Sequence, residues 1–160
     1  MKTEIHVAGA CDAEGWTQLR CALWPECPPD RHKLEIAQLL ESEGVVALAK
    51  VDGELAGFAE VSVRRDHVDG TSVSPVPYLE GWYVEEKFRG KGVGRALIAF
   101  VENWATERGF VELASDAEIW NEESIRLHGM LGFREVGRTV HFVKGLGGNH
   151  ERTRITRADE

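Results

Sequence analysis

Residues 78–105 read YLEGWYVEEKFRGKGVGRALIAFVENWA, and this stretch is the most informative part of the chain about its fold. Its opening residues, 78–84, are mostly aromatic or apolar and predict a strand. The six residues 89–94, RGKGVG, hold three glycines, which favour a tight turn. From Val93 onward apolar residues recur at helical spacing, which predicts an amphipathic helix that stops at Gly109. The stretch is therefore predicted as a strand, a glycine turn and a helix in direct succession.

Apolar patterns and turn residues predict shorter elements on both sides of this stretch. The pair Asp52-Gly53 lies between two apolar runs and is a strong hairpin signal. Residues 64–77 are polar and are predicted to form a long loop. Loops of this length are usually functional or disordered. The predicted strands lie at 5–7, 45–51, 54–63, 78–84, 110–115 and 133–144, and the predicted helices begin at the caps Asp12, Asp30 and Asn121 and at Val93. This order predicts one α+β, or mixed α/β, domain built on a single sheet.

A chain of 160 residues, 42% of them hydrophobic, is long enough for one domain with its own core. We predict that this domain occupies residues 1–146 and that the polar residues 147–160 form a flexible C-terminal tail. The ends are too polar for a signal or transmembrane segment. The three cysteines, Cys11, Cys21 and Cys27, then predict reduced thiols in a cytoplasmic protein, and their spacing does not match a zinc site.

The charge of the chain is unevenly distributed along its length. The formal net charge is −8, which argues against nucleic acid or an anionic membrane surface as a partner. Residues 87–95 nevertheless hold four basic side chains and no acidic one, so the remaining 151 residues carry −12. The basic segment suits an anionic ligand, and the acidic remainder suits a cationic one.

The glycine turn itself suggests a binding chemistry. Consecutive backbone N–H groups in residues 89–94 can face one concavity, and a helix N-terminus follows directly, so unsatisfied donors and the helix dipole favour an anion there. The turn matches neither a Walker A loop nor a dinucleotide fingerprint. A flexible glycine turn with solvated charges remains the alternative interpretation.

Several motifs together resemble the GNAT superfamily of N-acetyltransferases. Its pyrophosphate-binding signature, Arg/Gln-x-x-Gly-x-Gly/Ala, is matched by Arg89, Gly92 and Gly94. A second family pattern is matched by Asn121, Ser124, Leu127 and Gly132-Phe133. The resemblance implies a central mixed β-sheet flanked by helices, with splayed central strands, and acetyl-CoA as cosubstrate without a metal. It implies that acetyl-CoA is held by Trp82, Tyr83, Val84, Arg89, Gly90, Lys91, Gly92, Val93, Gly94 and Asn121.

A narrower set of motifs looks like the aminoglycoside 6′-N-acetyltransferases of this superfamily. These are Trp24-Pro25, residues 66–70 (DHVDG), Ser74-Pro75, residues 79–81 (LEG) and residues 114–116 (ASD). The resemblance implies transfer of an acetyl group to the 6′-amino group of an aminoglycoside antibiotic, which confers resistance, and a homodimer. It implies an acceptor site formed by Trp24, Asp66, His67, Glu80 and Asp116, with Asp116 or Glu80 as the general base.

The acidic residues also carry weight without the resemblance. Glu80 lies in an apolar strand, where a carboxylate is costly unless it is paired or used. Asp116 closes a strand before a helix, where sites commonly form, although a simple cap explains it equally well.

His128 stands where many superfamily members have a tyrosine that protonates the leaving thiolate. A histidine can donate a proton near neutral pH, but a structural role is the favoured interpretation.

Two other functions remain open at this point. The chain could acetylate a different amine, such as a polyamine or a protein N-terminus, because the motif at residues 89–94 does not distinguish acceptors. It could also be a noncatalytic acetyl-CoA sensor, which would need the glycine turn but no pair of acids beside it.

Overall fold

A five-stranded sheet lies at the centre of the computed structural model, which describes residues 1–147. The strands follow the order β1-β2-β3-β4-β5, antiparallel except for the parallel pair β4–β5. The elements are β1 (Thr3–Val7), α1 (Ala13–Leu23), α2 (Pro29–Leu40), β2 (Val45–Val51), β3 (Glu54–Arg64), β4 (Val76–Val84), α3 (Val93–Glu107), β5 (Ala114–Ser115) and α4 (Glu122–Met130). The predicted mixed α/β fold on one sheet is confirmed.

Helices cover both faces of the sheet, and each face has its own apolar core. Leu97 and Val101 of α3 are fully buried and belong to the cluster that contains Val61 of β3. On the opposite face, Trp16 of α1 and Phe58 of β3 are fully buried in a second cluster. Burial of each such side chain stabilises the fold by about 1.5–3 kcal/mol. The apolar stripe predicted for α3 is therefore the side of the helix that packs on the sheet.

The hairpin between β2 and β3 forms at the predicted pair. Asp52 has a φ of 49° and Gly53 a φ of 84°. Two consecutive left-handed residues give a turn whose twist matches that of the flanking strands, and Asp-Gly tolerates this conformation best. Register then follows from the turn, with Val51 opposite Glu54.

A β-bulge in β4 decides which side chains of that strand face which helices. Gly81 pairs with Glu60, whereas Leu79 pairs with the next residue of β3, Val61, so Glu80 is an extra residue in the ladder. At Gly81, beside this bulge, an added Cβ would lie 2.6 Å from the Trp24 ring. Because an inserted residue shifts the alternation by one, the residues after it change sides. Leu79 thus contacts the α3 core, and so does Trp82 three residues later.

The strands β4 and β5 meet only at one end. Tyr78 pairs with Ala114 and Leu79 with Ser115, and there the ladder stops. Residues 80–84 of β4 therefore run on without a β5 neighbour within the described part of the chain. This divergence is the splay that the resemblance implied. It leaves a strand edge whose backbone groups are available to a ligand.

The structure corrects several predicted elements. Asp12 lies at the α1 N-cap position, but its carboxylate accepts hydrogen bonds from the Gly9 N–H and from His6 instead of capping. The second helix begins at Pro29, so Asp30 lies in its first turn and is not its cap. The fourth predicted strand begins earlier, at Val76, and the strand predicted at 110–115 is reduced to Ala114–Ser115.

The strand predicted at residues 133–144 is wrong. This segment has no regular structure. Phe133 at its start packs against the α3 core, but most of the apolar side chains after it are exposed, including Phe142 at 92% and Val143 at 100%. A strand needs a neighbour for its backbone groups, and an alternating pattern alone does not supply one. Residues 148–160, most of the predicted tail, lie outside the described residues. Within residues 1–147 no helix is both long and apolar enough to cross a membrane.

Candidate active site

The glycine turn adopts the backbone geometry that an anion site requires. Gly90 has a φ of 72° and Gly92 a φ of 83°, both left-handed, and α3 starts immediately afterwards at Val93. A Cβ at either glycine would meet no atom within 4 Å, so glycine is needed there for conformation and not for space. The first N–H groups of α3 have no partner within the helix and face this open region.

Arg89 braces the turn against the strand before it. Its Nε donates to the Val84 carbonyl at 2.8 Å, and its guanidinium lies 5.5 Å from the centre of the Tyr83 ring. Lys91 is exposed at the tip of the turn. The structure therefore assigns Arg89 a part in holding the turn, and leaves Lys91 free to approach an anion.

Trp82 places an unused donor next to the turn. Its indole Nε1 is buried and has no hydrogen-bond partner among residues 1–147. The ring also lies against Gly94, where an added Cβ would come within 3.2 Å of it. A buried N–H without a partner is costly, and a ligand carbonyl or phosphate oxygen would remove that cost. Trp82 lies on the side of the sheet opposite Gly81 and Tyr83.

His128 is held by hydrogen bonds on both ring nitrogens. Nδ1 lies 2.7 Å from the Ser124 carbonyl, to which it can only donate, so Nε2 accepts from the Ser115 hydroxyl at 2.8 Å. The ring also makes edge contacts with Trp82 and Phe133. Both ring nitrogens are therefore already engaged, by the Ser124 carbonyl and the Ser115 hydroxyl. This arrangement agrees with the structural role favoured from the sequence.

Glu80 and Asp116 lie on the α1–α2 side of the sheet and are linked through two intervening side chains. Glu80 accepts from the Ser62 hydroxyl at 2.6 Å and from both Nε and Nη2 of Arg64, at 2.8 and 2.7 Å. The Arg64 guanidinium lies 3.4 Å from the centre of the Tyr78 ring. The Tyr78 hydroxyl in turn donates to Asp116. Burial, reinforced by the Asp116 carboxylate, raises the pKa of Tyr78, which keeps this hydroxyl protonated as a donor.

Trp24 forms an apolar wall beside these acids. It follows the last residue of α1, and its ring lies against Gly81 and 6.0 Å from the centre of Phe58. The backbone carbonyl of Trp24 also contacts Nε2 of His32 at 3.3 Å. Since Gly81 directly follows Glu80, the ring and the carboxylate border the same part of the sheet.

Asp66 and His67 lie on the loop that follows β3 and make no hydrogen bond with the other predicted acceptor residues within residues 1–147. Together with Val68 and residues 71–74 they line a cavity of about 200 Å³ formed by the loop itself. His67 Nε2 lies 3.3 Å from the Asp69 carboxylate, and both side chains are exposed. The hydrogen bonds of Glu80 and Asp116 found in residues 1–147 involve other residues. The structure thus brings three of the five predicted acceptor residues together.

Asn121 has a clear local role. Its Oδ1 accepts from the backbone N–H of Ser124 at 3.1 Å and caps α4, as predicted. The amide NH₂ of Asn121 makes no contact of this kind with the helix. Asn121 therefore keeps a donor that the cap does not use.

Sequence reasoning missed the ionisable residues buried beneath the acids. Glu60 is 3% exposed, accepts from the Trp16 indole at 2.8 Å and lies 3.5 Å from Arg20. Arg20 makes its closer ion pair with Glu35. The signal was present, because Glu60 is an acid in an apolar strand just as Glu80 is. Arg64 and Tyr78 could not be found this way, since an Arg at a strand end and a Tyr in a strand are both ordinary.

Glu60 should make the stability of the protein depend on pH. Burial raises its pKa from 4.5 to about 7, against the attraction of Arg20 and the Trp16 hydrogen bond. The folded state therefore binds this proton more tightly than the unfolded state. The resulting stability is fully present below pH 4.5 and is lost as the pH rises through 7, a loss of about 3 kcal/mol.

Urea unfolding of the wild type and of Glu60→Gln at pH 5 and pH 8 tests this expectation. Gln retains the acceptor for Trp16 but cannot titrate, so the variant should lose less stability than the wild type over this interval. Equal losses in the two proteins would contradict a raised pKa of Glu60.

Comparison with known proteins gives a consistent result. An aminoglycoside N(6′)-acetyltransferase type 1 of Stenotrophomonas maltophilia is 45% identical over 139 residues, which cover 86% of this chain and 90% of that protein. A protein of the same name from Serratia marcescens is 44% identical over 136 residues, 84% of this chain and 93% of that protein.

No cluster of three or more metal-ligating side chains that could hold a metal ion occurs in residues 1–147.

Solved structures agree in fold. AAC(6′)-Iy in complex with the bisubstrate analogue CoA-S-monomethyl-acetylneamine has a TM-score of 0.86 at 37% identity, covering 91% of this chain and 99% of that one. The 6′-N-acetyltransferase AAC(6′)-Ih from Acinetobacter baumannii has a TM-score of 0.84 at 36% identity, covering 91% of this chain and all of that one. The model of the acetyltransferase (GNAT) family matches residues 13–133. With the strand, glycine turn and helix of that family in place, this chain belongs to the acetyltransferase (GNAT) family.

Proposed function

We propose that this protein transfers an acetyl group from acetyl-CoA to the 6′-amino group of an aminoglycoside, by direct attack in a ternary complex. The observation that carries the proposal is the pair of carboxylates, Glu80 and Asp116, on the sheet face opposite the Trp82 side chain. An acidic surface beside an aromatic wall suits a polycationic sugar. The names of the relatives agree with this activity, which the sequence also predicted.

The residues around the glycine turn fit acetyl-CoA. The N–H groups of residues 90–94 and the exposed Lys91 suit its pyrophosphate, and the unpaired edge of residues 80–84 suits its amide-containing arm. The buried indole N–H of Trp82 needs an acceptor that an oxygen of this molecule would provide. The NH₂ of Asn121 is a further donor. Bound there, acetyl-CoA supplies the activated acetyl group, and N–H groups of residues 82–84 would donate to its carbonyl.

Glu80 and Asp116 would divide the work on the acceptor. Both Glu80 oxygens already accept hydrogen bonds from cationic or hydroxyl donors, which suits it to hold an ammonium group. Asp116 is exposed and keeps an oxygen that Tyr78 does not use, so we assign it proton removal from the attacking amine, directly or through water. Trp24 would pack on the sugar. Asp66 and His67 would contact it from the neighbouring loop.

A coupled assay for release of the CoA thiol tests the proposal. Turnover with kanamycin or tobramycin, and little with spermidine or a peptide N-terminus, is the expected result. Preferred turnover of spermidine or the peptide would establish the alternative amine instead. Tight binding of acetyl-CoA without turnover of any amine would indicate a sensor.

The acceptor KM should rise with ionic strength at saturating acetyl-CoA. Attraction between a polycation and exposed carboxylates is screened within about 10 Å at 0.1 M salt. We expect a several-fold rise in KM between low salt and about 0.5 M salt, with little change in kcat. A KM independent of salt would refute an electrostatic acceptor site.

Two further proposals concern the state of the protein in the cell. Val140, Phe142 and Val143 expose apolar side chains on residues 133–146, and we infer that a homodimer covers part of this surface. Light scattering of the purified protein measures this directly.

The free thiols of Cys11 and Cys21 support a cytoplasmic location.

A further inference from the structure

Arg64 occupies the place where the acceptor's ammonium group is proposed to bind. Its guanidinium makes two parallel hydrogen bonds to the Glu80 carboxylate, at 2.8 and 2.7 Å, and stacks 3.4 Å from the centre of the Tyr78 ring. A carboxylate below a cation and an aromatic ring beside it are the features expected of a cationic ligand site. The chain thus fills this site with one of its own side chains.

We propose that Arg64 is an intramolecular competitor for the acceptor, so that an acceptor binds Glu80 only after Arg64 has left it. This inference rests on the proposed function, since it assumes that Glu80 holds the acceptor. A cationic acceptor must bind Glu80 more strongly than Arg64 does in order to displace it. Amines that bind Glu80 weakly therefore do not occupy the site.

The position of Arg64 makes its departure feasible. It is the last residue of β3, and the chain continues directly into the loop that carries Asp66 and His67. The side chains of Arg64 and Glu80 are 41% and 33% exposed, so water can replace each partner. Exchange therefore needs only a rotation of the Arg64 side chain into solvent.

Charge explains why the competition matters. With Arg64 in place, the group formed by Arg64, Glu80 and Asp116 carries one net negative charge, and without it the two carboxylates carry two. An acceptor sees the more negative site only in the fraction of molecules in which Arg64 has left. The apparent affinity falls in proportion to that fraction. An exposed bidentate pair whose cation also stacks on an aromatic ring makes the reduction about three- to tenfold.

The test is Arg64→Gln, with Arg65→Gln as the matched control. Arg65 is the next residue and makes a similar two-oxygen contact, to Glu43, with both distances at 2.7 Å. We expect Arg64→Gln to lower the tobramycin KM by about three- to tenfold at nearly unchanged kcat, and Arg65→Gln to leave both constants unchanged. Arg64→Lys, which keeps the charge without the fork, should lie between the wild type and Arg64→Gln.

A second measurement separates competition from a structural role. Removal of a competing positive charge should make the tobramycin KM depend more steeply on salt in Arg64→Gln than in the wild type. A raised KM or a lowered kcat in Arg64→Gln would overturn the proposal and make Arg64 a positioning residue for Glu80.

Calorimetric binding of tobramycin without acetyl-CoA keeps this test independent of turnover. Wild-type protein that turns over no aminoglycoside would refute the proposed function. Tobramycin bound more tightly by Arg64→Gln than by the wild type would still support the competition. Equal or weaker binding by the variant would overturn it.

Discussion

Replacing Asp116 with Asn lowers kcat/KM for an aminoglycoside acceptor by about a hundredfold. The acceptor amine arrives protonated and must lose a proton before it attacks, and a positioned general base contributes about 10²–10⁴ in rate. Asn keeps the size of Asp116 and can still accept a hydrogen bond from Tyr78, but it cannot take up a proton. The loss should therefore fall mainly on kcat. Steady-state kinetics with saturating acetyl-CoA measure it.

Glu118→Gln is the matched control for Asp116→Asn. Glu118 is exposed two residues further along the same loop, so the substitution removes the same charge without removing the proposed base. It should change kcat/KM by no more than about twofold, the effect of a screened surface charge. Near-wild-type activity of Asp116→Asn would exclude Asp116 as the base. Equal losses in the two variants would attribute the effect to the local field and not to proton removal.

Replacing Gly92 with Ala raises the KM for acetyl-CoA by about tenfold or more. Gly92 has a φ of 83°, and a side chain in this left-handed conformation costs about 1–2 kcal/mol. If the turn relaxes to relieve this strain, its N–H groups move. If it does not relax, the new methyl group lies in the open space where an anion would bind. Both outcomes weaken a site made of backbone donors at the start of α3.

Gly109→Ala separates strain from ligand binding. Gly109 follows the other end of α3, has a φ of 80° and likewise has open space around it. Both alanine variants should lose similar stability in urea unfolding, but only Gly92→Ala should weaken acetyl-CoA binding. An unchanged KM for acetyl-CoA in Gly92→Ala would remove the turn from the cofactor site. Similar KM changes in both variants would assign the effect to destabilisation of α3.

Local patterns predicted the elements that depend on neighbouring residues. The Asp52-Gly53 hairpin, the apolar stripe of α3 and the Asn121 cap each involve residues only a few positions apart. The interactions that form these elements can therefore be predicted from the local sequence. The failed strand at residues 133–144 is different, because a strand is stable only against a partner edge. Its apolar pattern was real, but no such partner lies beside it in the described part of the chain.

The candidate site was likewise predicted only in part. The glycine turn was predicted, since three glycines in six residues favour a tight turn, and the left-handed φ values of Gly90 and Gly92 came from the structure. Glu80 and Asp116 were identified, and the resemblance gave their proposed role. The buried Glu60 and the stacked Arg64 were missed, because their importance comes from partners that the sequence does not place beside them.

The strand, the glycine turn and the helix, and with them the family of the chain, could be identified from the residues alone. The contacts of Arg64 with Glu80 and of Tyr78 with Asp116 join residues 16 and 38 positions apart and became visible only in the folded chain. Strand register explains this difference. One extra residue, Glu80, shifts the alternation of β4, and a pattern with a period of two cannot reveal such a shift before the strands are paired.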